Sequence, residues 1–112
     1  MRFLSTTLSD ARLVALTPNV GERGSFARVY CAREFAAAGL PREFVQHSVS
    51  RNAHKGTLRG LHFQRPPHEE DKIVRVGRGA IFDVIVDLRP ASATIRKWEA
   101  RDRGVPQISC PC

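Results

Sequence analysis

The chain has 112 residues, 42% hydrophobic and 26% charged, with a formal charge of +7. These values fit one globular domain with a modest core, and they exclude a disordered chain or an array of domains. The positive charge invites a polyanion, but 15 of the 18 basic residues are scattered arginines without a run of five, which suits a small anionic ligand better than nucleic acid.

Taken in order, residues 2–16 alternate loosely through Phe3, Leu4, Leu13, Val14 and Leu16. This predicts a short strand, a polar bend near Ser9-Asp10 and a second strand over 12–16. Residues 18–24 form a turn region with Gly21 and Gly24, followed by a strand over 25–30 in which Phe26 faces inward. Residues 32–38 are the one convincing helix: they are alanine-rich, Gly39 stops them and Pro41 follows. Phe35 is its expected packing residue. Residues 44–50 are strand-like again, and 52–56 turn into the stretch around which the rest is organised.

That stretch, Gly56-Thr-Leu-Arg-Gly-Leu-His-Phe-Gln-Arg-Pro-Pro-His-Glu-Glu-Asp-Lys-Ile-Val-Arg75, reads as a strand, a Pro-Pro turn and a second strand. It displays Arg59, His62 and Lys72: a phosphate-grade cation, a base that titrates near neutrality and a second cation. Arg59 and His62 are three apart, so Gly60 between them is a candidate bulge that resets the alternation. Solvated charges on a hairpin remain an equal alternative at this point. After a turn at 77–79, residues 80–89 form the best strand of the sequence. Ala80, Phe82, Val84, Val86 and Leu88 lie on one face, and Ile81, Asp83, Ile85, Asp87 and Arg89 on the other. The second face suits a pocket wall with Asp83 in it, or equally a solvent face carrying two exposed aspartates. Residues 90–94 form a loop, and 95–98 can start another strand. From residue 100 the pattern collapses, and an irregular tail over 100–112 is expected after a domain over 1–99.

Many short strands with Gly and Pro turns predict an all-β sandwich or barrel with one short helix near 32–38. Cys31, Cys110 and Cys112 lack metal-site spacing. The N-terminus lacks the apolar run of a signal peptide, and no stretch approaches a membrane span. The expectation is a soluble, cytoplasmic protein without membrane or nucleic-acid partners.

Five blocks carry a resemblance: Arg23-Gly-Ser-Phe26, Phe44-Val-Gln46, Gly56-Thr-Leu-Arg-Gly-Leu-His-Phe-Gln64, Lys72-Ile-Val-Arg75 and Phe82-Asp-Val-Ile-Val-Asp-Leu-Arg89. In order and spacing the chain resembles the dTDP-4-dehydrorhamnose 3,5-epimerase family. The resemblance implies a cupin-type jelly roll, usually dimeric, that inverts C3 and C5 of dTDP-4-keto-6-deoxyglucose in dTDP-rhamnose biosynthesis. It implies His62 as the catalytic base and Lys72 as the group that stabilises the enolate oxygen. It assigns Arg23, Phe26, Gln46 and Arg59 to the nucleotide and diphosphate site. Arg28 and Ser48 also fall at binding positions, where the family more often has Glu and Asn. No metal or redox cofactor is implied.

The residues agree with that chemistry. A C4 ketone acidifies the hydrogens at C3 and C5, a neutral imidazole is a fitting base, and a fixed ammonium stabilises the enolate. Arginine forks match a diphosphate. After Trp98 the family's continuation, with its acid tyrosine and base-orienting aspartate, is missing, and Tyr30 is not at the tyrosine's position. The expectation is a C-terminally truncated or frame-shifted copy with an incomplete jelly roll and impaired activity. Two alternatives stand beside it. One is a non-catalytic sugar-nucleotide-binding or degenerate fragment. The other, a metal-binding cupin using His62, His68 and Glu69, is weakened by Gln64 standing where a second histidine ligand belongs.

Overall fold

A strand persists only where its N–H and C=O groups find a ladder, and that rule decides which apolar segments of this chain become strands. The computed structural model describes residues 1–104 and 107–111, with the backbone alone for 103 and 107–111. The strands are β1 (Arg2–Ser5), β2 (Arg12–Ala15), β3 (Asn19–Gly21), β4 (Gly24–Phe26), β5 (Asp71–Val74), β6 (Ala80–Val86), β7 (Trp98–Gly104) and β8 (Gln107–Pro111). The one helix among the described residues, α1 (Ala32–Ala37), lies between β4 and β5. A four-stranded antiparallel sheet runs β1-β2-β8-β5, and β3–β4 and β6–β7 are separate two-stranded ribbons. The all-β expectation with one short helix holds.

The first hairpin follows the predicted course. Phe3 pairs with Val14 and Leu4 with Leu13, and the bend at Asp10 has φ of 66°, a left-handed geometry that aspartate tolerates. Helix α1 is too short to persist alone, so its end and its packing hold it. Leu40 N–H bonds to the Phe35 carbonyl at 2.9 Å and Gly39 N–H to the Ala36 carbonyl at 3.0 Å. With Gly39 at φ +72°, this is a Schellman ending, and the two residues it joins, Phe35 and Leu40, are both in the core.

Phe35 and Val14 are fully buried with Leu40 beside them, and Met1, Phe3, Tyr30, Phe44 and Ile73 pack around this centre. The Phe35 ring meets Phe3 edge-on at 5.2 Å and Tyr30 at a tilt at 4.9 Å. Such pairs add to the area they bury. Tyr30 donates its hydroxyl to the Arg42 carbonyl.

Ribbon β6–β7 is tied to the N-terminal bend by polar bonds. Arg89 Nη1 reaches Asp10 Oδ2 at 2.8 Å and Arg89 Nη2 the Ser9 carbonyl at 2.8 Å. Thr7 donates both its backbone N–H and its hydroxyl to Glu99 Oε2, at 2.8 and 2.6 Å. Asp87 is only 5% exposed, and Ser92 and Thr94 both donate to its Oδ2. The face carrying Asp83 and Asp87 is therefore the more covered one, and the reading of two exposed aspartates is corrected. The opposite face leaves Phe82 exposed.

Three further expectations differ from what is observed. Residues 44–50 and 56–64 form no strand, and β4 stops at Phe26 rather than continuing to residue 30. Val45 and Val49 are 99% and 98% exposed and Leu58 91%, so nothing covers them, and no described strand lies alongside to complete a ladder. The second arm of the organising stretch pairs instead with β8: Lys72 lies opposite Cys110 and Ile73 opposite Ser109. The tail expected to be irregular supplies most of β7 and all of β8. Backbone pairing satisfies those residues although their side chains carry no period.

Candidate active site

Lys72 is on β5, the edge strand of the main sheet, and is half-buried there. Its ammonium lies 2.9 Å from Glu70 Oε1. The Pro-Pro turn is closed by the His68 N–H bonding to the Arg65 carbonyl at 2.9 Å, while the Arg65 guanidinium sits 5.9 Å over the Phe63 ring. The turn folds Gln64 back onto the same carboxylate. With its amide nitrogen facing Glu70, the orientation its neighbours require, Gln64 donates to Glu70 Oε1 at 2.8 Å and to the His68 carbonyl at 3.1 Å. The segment bearing His62 is thus tethered to the strand bearing Lys72.

His62 and Arg59 are exposed. Arg59 Nε donates to Asn52 Oδ1 at 2.7 Å, which joins the 52–56 turn to the organising stretch. Gly60 has φ +108°, open to glycine alone, but with no ladder beside it there is no bulge. Arg23 and Phe26 line one open concavity on the β3–β4 hairpin, with Glu22 and Ser25. Phe26 is 79% exposed rather than the inward anchor expected. Among the described residues the hairpin strands pair only with each other, so no described ladder fastens these two residues to the sheet that carries Lys72.

Arg28 is turned to structural use: its Nη1 bonds Glu34 Oε1 at 3.0 Å, and the other carboxylate oxygen takes the Met1 amine at 2.8 Å. These two cations, the amine foremost, hold the Glu34 carboxyl below its usual range. Cys31, at the N-cap of α1, has its thiol pulled down chiefly by the Glu34 backbone N–H. Gln46 and Ser48 are exposed in the irregular 45–50 segment. Asp83 is half-buried on β6, opposite Arg101 in the register. Asp71, beside Lys72, is raised by burial.

The structure therefore joins Gln64, Glu70 and Lys72, places Arg23 with Phe26, and leaves His62, Arg59, Asp83, Gln46, Ser48 and Arg28 outside either group. Sequence reasoning missed Glu70 and Gln64. A signal for Glu70 was available: it stands just before β5 and two residues before Lys72, the spacing that puts two side chains of an extended segment on one face. Among the described residues no group of three His, Cys, Asp or Glu side chains could hold a metal, and no helix is long and apolar enough to cross a membrane. The side chains of Cys110 and Cys112 lie outside the description.

Comparison with known proteins gives this arrangement a context. A family model described as dTDP-4-dehydrorhamnose 3,5-epimerase matches residues 5–102. The dTDP-4-dehydrorhamnose 3,5-epimerase of Escherichia coli strain K12 is 42% identical over 101 residues, covering 88% of this chain and 53% of that protein. The crystal structure of the enzyme of that name from Elizabethkingia anophelis NUHP1 matches with a TM-score of 0.92 at 34% identity, covering 99% of this chain and 62% of that one. The Bacillus anthracis strain Ames structure, with TDP and PPi bound, matches with a TM-score of 0.90 at 35% identity, covering 98% and 65%. The chain spans about half the length of the curated relatives it matches. The strands described above share the cupin-type jelly roll of these neighbours over the 62% and 65% of their length that is matched. Sequence blocks, backbone and family match agree: the chain belongs to the dTDP-4-dehydrorhamnose 3,5-epimerase family.

Proposed function

We propose that this chain carries the base-bearing, nucleotide-binding part of a dTDP-4-dehydrorhamnose 3,5-epimerase acting on dTDP-4-keto-6-deoxyglucose. The family match over residues 5–102 carries this reading, because it contains every residue assigned a role, from Arg23 to Asp83. His62 removes the acidic proton at C3 or C5, and Lys72 stabilises the negative charge that moves onto the C4 oxygen. Arg23 and Arg59 hold the diphosphate, with Phe26, Gln46 and Ser48 toward the nucleotide and Asp83 at the pocket wall.

A second reading, sugar-nucleotide binding without turnover, is favoured by one observation. The sole tyrosine, Tyr30, is packed on Phe35 with its hydroxyl given to Arg42, so it does not serve as an acid on the opposing face of the sugar. Inversion needs such an acid, and among the described residues no other tyrosine offers one. The cytoplasm is the setting of this reading, and a homodimer its assembly. Exposed Phe82 and Trp98 on β6 and β7 suit a face covered by a second copy.

The test is NMR of dTDP-4-keto-6-deoxyglucose in deuterated buffer with the 112-residue chain, beside calorimetry with dTDP. Slow deuterium entry at C3 and C5 with little net inversion is expected, as is dTDP binding that Arg59→Ala removes. Binding without exchange selects the second reading. Absence of both overturns the proposal, and full epimerisation overturns the requirement for the acid tyrosine.

A further inference from the structure

A lysine ammonium rides on a flexible four-carbon stem, so its value as an electrostatic stabiliser depends on what fixes it. Here two donors from opposite arms of the Pro-Pro turn converge on one oxygen. Lys72 Nζ is 2.9 Å from Glu70 Oε1 and the Gln64 amide nitrogen is 2.8 Å from it. Gln64 is two residues beyond His62, and Glu70 is two residues before Lys72. One carboxylate therefore sets the span between the segment that presents the imidazole and the strand that presents the ammonium. Both members of the ion pair are roughly one-third exposed, so its contribution to stability is small and its contribution to geometry is the larger one. An ammonium has three donors, and the one directed at Glu70 fixes the cone within which the others point.

We propose that Glu70 is a positioning residue: it orients the Lys72 ammonium and, through Gln64, holds it at a set distance from His62. This rests on the reading of Lys72 as the enolate-stabilising group and adds to it a residue that never touches the substrate. Placement of this kind lowers the reorganisation needed when the enolate forms, and its loss appears in turnover rather than in nucleotide affinity.

The chain has three lysines, Lys55, Lys72 and Lys97, so lysine-specific nitrogen labelling gives three ammonium signals. In the intact chain, Lys72 ammonium protons should exchange with water at least about threefold more slowly than those of Lys55, the scale of a part-exposed ion pair. The isosteric Glu70→Gln should remove that protection and shift the Gln64 side-chain amide signals, while Lys55 and Lys97 stay unchanged. Glu70→Asp should restore part of both effects. In the unaltered chain, raising salt from about 0.01 to about 1 M shortens the screening length about tenfold, and Lys72 protection should fall with it. Glu70→Gln should also slow deuterium entry into the substrate about tenfold while dTDP affinity holds. The proposal is overturned if Lys72 exchange is the same in the unaltered chain and Glu70→Gln, or if the Gln64 amide does not respond. If the unaltered chain exchanges no deuterium into the sugar, the functional reading fails instead, and the lysine signals still decide the role of Glu70.

Discussion

Asp87 grips Arg89 with both carboxylate oxygens: Arg89 Nε donates to Oδ1 at 3.0 Å and Nη2 to Oδ2 at 2.9 Å. The same guanidinium reaches Asp10 and Ser9, so one buried carboxylate organises the join between ribbon β6–β7 and the N-terminal bend. Arg89 above all, with Ser92 and Thr94, holds the Asp87 carboxyl far below its usual range. A depressed folded value means stability that is complete above the ordinary carboxylate pKa and is lost as pH falls through the folded one. Stability should therefore be flat from neutrality to about pH 4 and decline below it. Asp87→Asn should cost about 1–3 kcal/mol at neutral pH, and its difference from the parent should shrink in acid. Urea unfolding at both pH values measures this. An equal loss at both would remove the charge from the explanation.

Two phenylalanines make opposite predictions. Phe35 is fully buried at the centre of the aromatic cluster, so Phe35→Ala should cost about 3–5 kcal/mol. Phe82, exposed on β6 of the single chain, should tolerate alanine within about 0.5 kcal/mol at protein concentrations too low for a second copy to cover it. Paired urea titrations decide the comparison.

Gly39 closes helix α1 at φ +72° with nothing near its missing Cβ, so any cost of substitution is conformational rather than steric. Gly39→Ala should lose about 1–2 kcal/mol and Gly39→Asn less, because asparagine enters the left-handed region more readily. Thermal unfolding of the two variants should rank them in that order.

Hydrogen exchange should separate the segments that have a ladder from those that do not. Amides of residues 45–50 and 57–64, which have no ladder, should exchange at least about 100-fold faster than those of β2 and β6. Comparable protection at Leu58 and Val14 would mean that the former is paired in solution.

Helix α1 and the first hairpin were legible because their determinants are local. Alanine content and Gly39 mark the helix, and the bend at Ser9-Asp10 marks the turn between two alternating runs. Phe35 was legible as the packing residue for the same reason. Residues 44–50 and 56–64 were misread because strand propensity describes a surface that fits a sheet and does not supply the sheet. β8 was missed, and β7 anticipated only at its start, for the converse reason: pairing of the backbone leaves no periodic trace, and the partners of β8 lie far away in sequence. Within the candidate site, the individual residues were legible as residue types. The Gln64–Glu70–Lys72 junction was not, because it depends on the Pro-Pro turn bringing two arms together.

Strand β8 lies between β2 and β5, so Leu13 pairs with Ile108 across nearly the whole length of the sequence. The main sheet consequently cannot close until residues 107–111 have been made, and β2 and β5 wait with open edges until then. Long-range closure of this kind makes folding slow and exposes those edges to pairing with other nascent chains. The yield of native protein should thus respond to translation rate and to chaperones that shield unpaired strands, independently of the stability finally reached.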